Sequence, residues 1–280
     1  MKFIYACDIH GSTYKYNKLL LETRLKNIKY LVFGGDLLPK NTNERQKEQK
    51  NFINGFLDDY FYKLEENGIS CICILGNDDL CSLDDTFNKM CQKHKNVFNI
   101  DEKLEVIEDI SFIGLSKVLD HPFGCKDRVI IEENLKMQMQ LSSKIKYKDE
   151  IYDMYSWYEK RKTIDKMEDV LFKLPKPKEN TKLIYIFHNP PFGIGLDKCS
   201  NGTEVGSKAM VEFFKKQKPY FTFHGHIHES YQVTDIWKAC IGNTICIQPG
   251  QTERGSKNYY YVLVDTDTKQ IDLYLNSYKL

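Results

Sequence analysis

The sequence predicts an α/β protein organised around a largely parallel sheet, and three observations carry that prediction. Short apolar runs alternate with helix-patterned segments, each run stops abruptly on polar residues, and the stops are rich in Asp, Asn and His. Strands alternating with helices call for parallel pairing through helical crossovers. In such sheets ligands gather beyond the carboxyl ends of the strands, where residues far apart in sequence converge.

The elements follow in order. Phe3 to Cys7 ends on Asp8-Ile9-His10-Gly11, Tyr30 to Phe33 on Gly34-Gly35-Asp36, and Cys71 to Leu75 on Gly76-Asn77-Asp78-Asp79. Leu183 to Phe187 stops at His188-Asn189-Pro190, and Phe221 to Phe223 at His224-Gly225-His226-Ile227-His228. Helical patterns fill Thr13 to Ile28, roughly 43 to 66, Leu83 to His94 and Ser207 to Lys218, the last with Ser207 as N-cap and Pro219 as its stop. Leu104 to Ile107 and Ile110 to Leu115 are separated only by Glu108-Asp109 and read as a hairpin. Near the C-terminus, Ile245 to Ile247 is followed by Tyr259 to Val264, an Asp265-Thr266-Asp267 turn and Ile271 to Leu275, which suggests a second, more antiparallel sheet. Glu132 to Leu174 is charged, bears Met and Tyr, and meets no breaker before Pro175 and Pro177. That pattern predicts one or two long helices projecting from the core.

At 280 residues with 41% hydrophobic content the chain can bury a sizeable core. A net charge of +1 without blocks of like charge gives no nucleic-acid or membrane footprint. The nine cysteines include no C-x-x-C pair, and several sit in apolar runs, as reduced buried thiols do. A strand that reaches polar chemistry by Asp8, and the absence of any membrane-length apolar run, fit a soluble cytoplasmic protein.

The strand-end clusters have the composition of a metal site. Asp8 and His10 lie two apart, as do His226 and His228, so in extended backbone each pair points one way. Asp36 follows a glycine that permits close approach and is placed to bridge two cations about 3.5 to 4 Å apart. Asn77 offers a carbonyl oxygen and His188 an imidazole. Mixed O and N donors suit Mn²⁺, Fe²⁺ or Zn²⁺ rather than Ca²⁺, and the lack of thiolates argues against a structural zinc site. Of the remaining histidines, His94 reads as a satisfied surface group, His121 as a loop residue that is also a candidate for facing substrate, and His224 as a core or outer-shell residue.

Asp8-x-His10, Gly35-Asp36, Gly76-Asn77, His188 and Gly225-His226-x-His228, in that order, resemble the calcineurin-like metallophosphoesterase superfamily. His121-Pro122-Phe123-Gly124, His188-Asn189-Pro190-Pro191, Gly206-Ser207-Lys208-Ala209, Gly225-His226-Ile227-His228-Glu229 and Gln248-Pro249-Gly250 resemble its Icc-type bacterial and archaeal members. The resemblance implies a four-layer α-β-β-α sandwich with mixed sheets, spanning 1–280 as a single domain with a helical insertion at about 126–175. It also implies two divalent metal ions, Mn²⁺ favoured and Fe²⁺ or Zn²⁺ admitted. Asp8, His10 and His228 would hold one, Asn77, His188 and His226 the other, and Asp36 would bridge. Water between the ions would be deprotonated near neutral pH and attack phosphorus in line.

Two departures shape the expected activity. The family commonly carries a histidine after the Gly-Asn pair, where this chain has Asp78, and an ionised Asp donates no proton. Asp78 is therefore an altered candidate catalytic position, and the expected substrates are small-molecule phosphodiesters, with weak activity on alkyl monoesters. The long Glu132 to Leu174 segment is a candidate lid, a homo-oligomer contact or simply a solvated helical insertion. Arg254 is a candidate phosphate contact. A metal-binding interaction module without catalysis, which Asp78 permits, and a nuclease, which near-neutral charge disfavours, are the competing readings.

Overall fold

A computed structural model of the chain describes residues 1–40, 44–133, 140, 142–148, 150–252 and 256–280. Alternating side chains on the strands build two sheets with three hydrophobic layers. On Lys2–Ala6, Phe3 and Tyr5 point to one face and Ile4 and Ala6 to the other, as a period of two requires. Phe3 and Tyr5 join Val32, Ile72 and Ile74 against Phe112, Ile184, Ile186, Phe221 and Phe223 of the second sheet, forming the layer between the sheets. Ile4, Leu31, Phe33, Cys71 and Cys73 face helices Thr13–Leu25, Asp58–Glu66 and Asp84–Lys93. On the far side, Ile113, Leu183, Tyr185 and Phe187 pack on helices Met167–Lys173 and Lys208–Gln217. The order of layers is α-β-β-α.

Both sheets are mixed. In the first, of seven strands, Lys2–Ala6, Tyr30–Gly34, Ser70–Ile74 and Val97–Asn99 run parallel. In the second, of six, Ile110–Leu115, Lys182–Phe187, Phe221–Phe223 and Thr244–Ile247 do so. The expected hairpin pairs Leu104–Ile107 with Ile110–Leu115.

Tyr260–Asp265 and Gln270–Leu275 do not form a second sheet with Thr244–Ile247. Tyr260–Asp265 pairs antiparallel with Lys2–Ala6 and extends the first sheet, whereas Thr244–Ile247 lies parallel in the second. The free edge of the first strand takes up the C-terminal hairpin, a choice that alternation alone does not encode.

The helical insertion also differs from its expected form. Residues 134–139, 141 and 149 of this segment lie outside the described residues; among the described ones, in place of long helices, it holds a small hairpin, Ile145–Tyr147 with Glu150–Tyr152, and the short helices Met154–Arg161 and Met167–Lys173. A capping box between Asp153 and Ser156 starts the first helix. Before the second, Ile131 takes over the backbone: its N–H donates to Asp165 and its carbonyl accepts from Met167. Trp157 is fully buried against Tyr147 and Tyr152, so tertiary packing sets the chain path here.

Candidate metal centre

The parallel strands of both sheets end at one edge, and backbone hydrogen bonds tie their exits together. Asp8 N–H donates to Gly35 O (3.0 Å), His10 N–H to Asp36 O (2.8 Å), and Gly225 N–H to His188 O (3.1 Å). Asp8, His10, Asp36 and His226 all adopt positive φ, between 48° and 71°. Asp and His tolerate this left-handed region better than most residues, yet it remains unfavourable and concentrates at functional sites. The side chains of Asp8 and His10 thus converge through a turn beyond the strand, not through strand alternation.

The seven donors gather as two half-sets around Asp36. On one side, Asp8, His10, Asp36 and His228 place one ligand atom each within 4.8 Å of one another. His10 Nε2 and His228 Nε2 are 3.0 Å apart, and His228 Nε2 is 3.5 Å from Asp8 Oδ1. On the other side, Asn77 Oδ1 lies 3.1 Å from His188 Nε2 and 2.7 Å from His226 Nδ1. Asp36 Oδ2 faces His10 at 3.6 Å, and its Oδ1 faces His188 at 3.5 Å.

The buried polar atoms fit a cation. Asp8 Oδ2 and His10 Nδ1 are buried without a hydrogen-bond partner among the described residues, which is costly for a carboxylate oxygen unless a charge completes it. His188 Nδ1–H donates to Gly34 O at 2.8 Å and turns Nε2 toward the other donors, the arrangement typical of metal-ligating histidine. Gly76 keeps the centre open, since a Cβ there would lie 2.3 Å from Asp36 Oδ1 and 2.8 Å from His188 Nε2. The O and N donor set suits Mn²⁺, Fe²⁺ or Zn²⁺.

Burial and charge pull the titrating groups apart. Burial opposes ionisation of Asp8, but His228 and then His188 hold its carboxyl well below the ordinary range. Asp36 is depressed in the same way, against burial, by His188 and His10. Burial lowers His10 to about 3, against the pull of Asp36. Burial, reinforced by His188, lowers His226 to about 3. His188, despite burial, is raised to about 9 by Asp36 and Asp8, the two carboxylates that draw positive charge to this point. Ionised carboxylates and neutral imidazoles are the ligand states that divalent metals require, so holding an ion here would require His188 to give up the proton on Nε2.

The other singled-out residues fall in different places. Asp78 borders the centre, its N–H donating to Asp36 Oδ1 at 2.7 Å. Its carboxylate meets Lys40 Nζ and Arg45 Nη2, each at 2.8 Å. His121 is buried and lines a larger cavity of about 1070 Å³ near the insertion. Arg254 lies outside the described residues. His224 is a core residue, with Nδ1–H shared between Phe187 O and Asn189 O and Nε2 accepting from the Thr222 hydroxyl. His94 is not a surface group: it is 5% exposed and bonded to Asp58 and Glu65.

Sequence reasoning missed three supporting residues. Asp79, fully buried, accepts from the N–H groups of Gly76, Leu37 and Leu38 and fastens two strand exits together. Lys40 and Lys15 line, with Asp8, His10 and His228, a cavity of about 200 Å³ at the donors. Lys40, like Lys15 and Asp79, is brought to the site by tertiary closure.

Comparison with known proteins agrees with this architecture. No curated protein matches the chain significantly. A solved structure sharing 19% identity aligns over 99% of both chains with a TM-score of 0.64. TT1561 of Thermus thermophilus, at 14% identity, aligns over 98% of both chains with a TM-score of 0.61. These likenesses establish the fold. The family model for calcineurin-like phosphoesterases matches residues 1–230, taking in every one of the gathered donors, and the chain belongs to that family.

Proposed function

We propose that the protein hydrolyses small-molecule phosphodiesters with two divalent metal ions, Mn²⁺ favoured, on a single domain spanning 1–280. The observation that carries this reading is Asp36, whose two oxygens face separate half-sets of donors. Asp8, His10 and His228 would hold one ion, Asn77, His188 and His226 the other, with Asp36 shared. Bound there, the ions would supply Lewis acidity and a water that loses its proton near neutral pH.

The protein's own groups position the reaction. Gly34 O fixes the His188 ring through Nδ1–H. Asp8 Oδ1 accepts from His226 N–H at 3.1 Å and so ties the last strand exit to the first. Burial and Asp36 oppose ionisation of Asp78, yet Lys40, His10 and Arg45 hold its carboxyl below the ordinary range. Asp78 therefore has no proton to give at neutral pH, which supports esters with good leaving groups over alkyl monoesters. The cavity of about 200 Å³ accommodates a phosphoryl group and the first atoms of its substituents. The nine cysteines are free, in keeping with a reducing cytoplasm. No helix among the described residues is long and apolar enough to cross a membrane.

The test is to strip the protein with chelator, restore Mn²⁺, and follow bis-p-nitrophenyl phosphate and the corresponding monoester, with Asp36→Asn alongside. The expected result is Mn²⁺-dependent diester turnover that falls in Asp36→Asn by more than the roughly 10- to 100-fold typical of outer-shell changes. No turnover on either ester, by folded protein shown to hold metal, would overturn the proposal in favour of a non-catalytic interaction module.

A further inference from the structure

The insertion reaches the metal donors through Phe123. Its ring packs on the buried cluster of Val129, Ile145, Trp157 and Ile164, the core of the insertion. Lys126 Nζ stands 4.4 Å from the ring centroid and also donates to His121 O and, at 2.8 Å, to Asp120 Oδ1. Phe123 N–H donates to His121 O at 2.8 Å and closes the turn that presents the ring. The same ring meets His226, with centroids 5.2 Å apart and planes at 83°, the edge-to-face arrangement that aromatic pairs favour.

The two histidines of that half-set are held differently. His188 is locked by Gly34 O, which accepts from its Nδ1–H at 2.8 Å. His226 directs Nδ1 at Asn77 Oδ1 (2.7 Å), and among the described residues its ring makes no other hydrogen bond. Its backbone is anchored by the N–H donated to Asp8 Oδ1, which fixes Cα but leaves the broad ring torsion free. Ring contacts therefore set the tilt: Phe123 on the insertion, and His188 with centroids 5.5 Å apart and planes at 60°. In the other half-set, His10 and His228 find their ring contact in each other, at 4.9 Å. Packing of the insertion thus bears on one half-set and not on its neighbour.

We infer that Phe123 is a positioning residue: it transmits the packing of the insertion to His226 and holds that ring where Nδ1 serves the donor set of Asn77 and His188. The insertion is then a fixed wall for one of two ion sites. The inference rests on the two-ion reading of the centre.

The test is titration of chelator-stripped protein with Mn²⁺, free ion followed by electron paramagnetic resonance, for wild type, Phe123→Leu and Phe123→Tyr. Leucine keeps an apolar contact with the Val129 cluster but removes the ring, and tyrosine restores it. Hydrogen exchange of the helix Met154–Arg161 reports in each sample whether the insertion stays packed. In Phe123→Leu one of the two Mn²⁺ affinities should weaken about tenfold while the other holds and the helix stays protected, and Phe123→Tyr should keep both within about threefold of wild type. Two unchanged affinities in Phe123→Leu, an equal fall in both, a fall that appears only with lost helix protection, or an equal loss in Phe123→Tyr would each overturn the inference. The proposals fail separately. Two ions bound with affinities independent of Phe123 remove only the role of Phe123, and Phe123-dependent affinity without ester turnover removes only the hydrolase. Fewer than two ions bound by wild type would remove the two-ion reading and this inference with it.

Discussion

The insertion is fastened by a buried ion cluster whose loss has a calculable cost. Asp120 is fully buried, and its carboxylate accepts from Lys126 Nζ (2.8 Å), Arg161 Nε (2.6 Å) and Trp157 Nε1 (3.1 Å). Lys126 is 1% exposed and Arg161 8%. Asp120→Ala would leave both cations in the interior without this counter-charge, and breaking one partner of a buried pair costs about 3 to 5 kcal/mol. Arg161 and Trp157 both belong to the helix Met154–Arg161, so the loss should appear there first, as local opening. Hydrogen exchange read by mass spectrometry should show protection of that helix falling by roughly a hundredfold to a few thousandfold. Asp120→Asn, which keeps the shape and one acceptor, should fall between. Protection within about threefold of wild type in Asp120→Ala would refute the reasoning, because it would mean that the cations are satisfied without Asp120 and that the cluster does not hold the insertion.

Two further outcomes follow from the core of the site. Gly76→Ala places a Cβ 2.3 Å from Asp36 Oδ1, so its metal content after Mn²⁺ reconstitution should drop sharply, with stability lower by about 1 to 3 kcal/mol; full metal occupancy would show that the centre has slack. Burial, with help from His188 and against the carbonyls of Phe187 and Asn189, brings His224 down to about 4 from its ordinary 6.5. The unfolded chain then binds the extra proton between those two values, so this contribution is complete above about pH 6.5 and is lost as pH falls toward 4. It amounts to about 2 kcal/mol between pH 7.5 and 5. Denaturant titrations of wild type and His224→Gln at the two pH values should differ by that amount, and equal pH dependence would clear His224 of the effect.

The donors were legible because Asp, Asn and His stacked at strand ends have no cheap structural use in such numbers, and parallel topology delivers strand ends to one edge. The geometric reason offered by spacing was nevertheless incomplete. Asp8 and His10 lie two apart, which in a strand puts both on one face, but both sit past Ala6 in left-handed backbone, so a turn aims them. Pattern singled out residues that the fold brings together, through a local geometry that the chain does not use.

What stayed hidden was contact made by reach rather than by period. Lys40 and Arg45 meet Asp78 because Gln49 closes one loop on another, and neither loop carries a repeat that announces the other. The insertion misled for a related reason: absence of breakers is compatible with helix, but the hairpin and short helices there follow from Trp157 packing and the Asp120 cluster, both long-range. His94 looked solvated between two lysines, yet Asp58 and Glu65 enclose it from another helix. Asp78 joins the two cases, since sequence marks it as a lost proton donor and the fold surrounds it with cations. A carboxylate there does not empty the position of positive charge but draws it from the segment after Asp36, through Lys40 and Arg45.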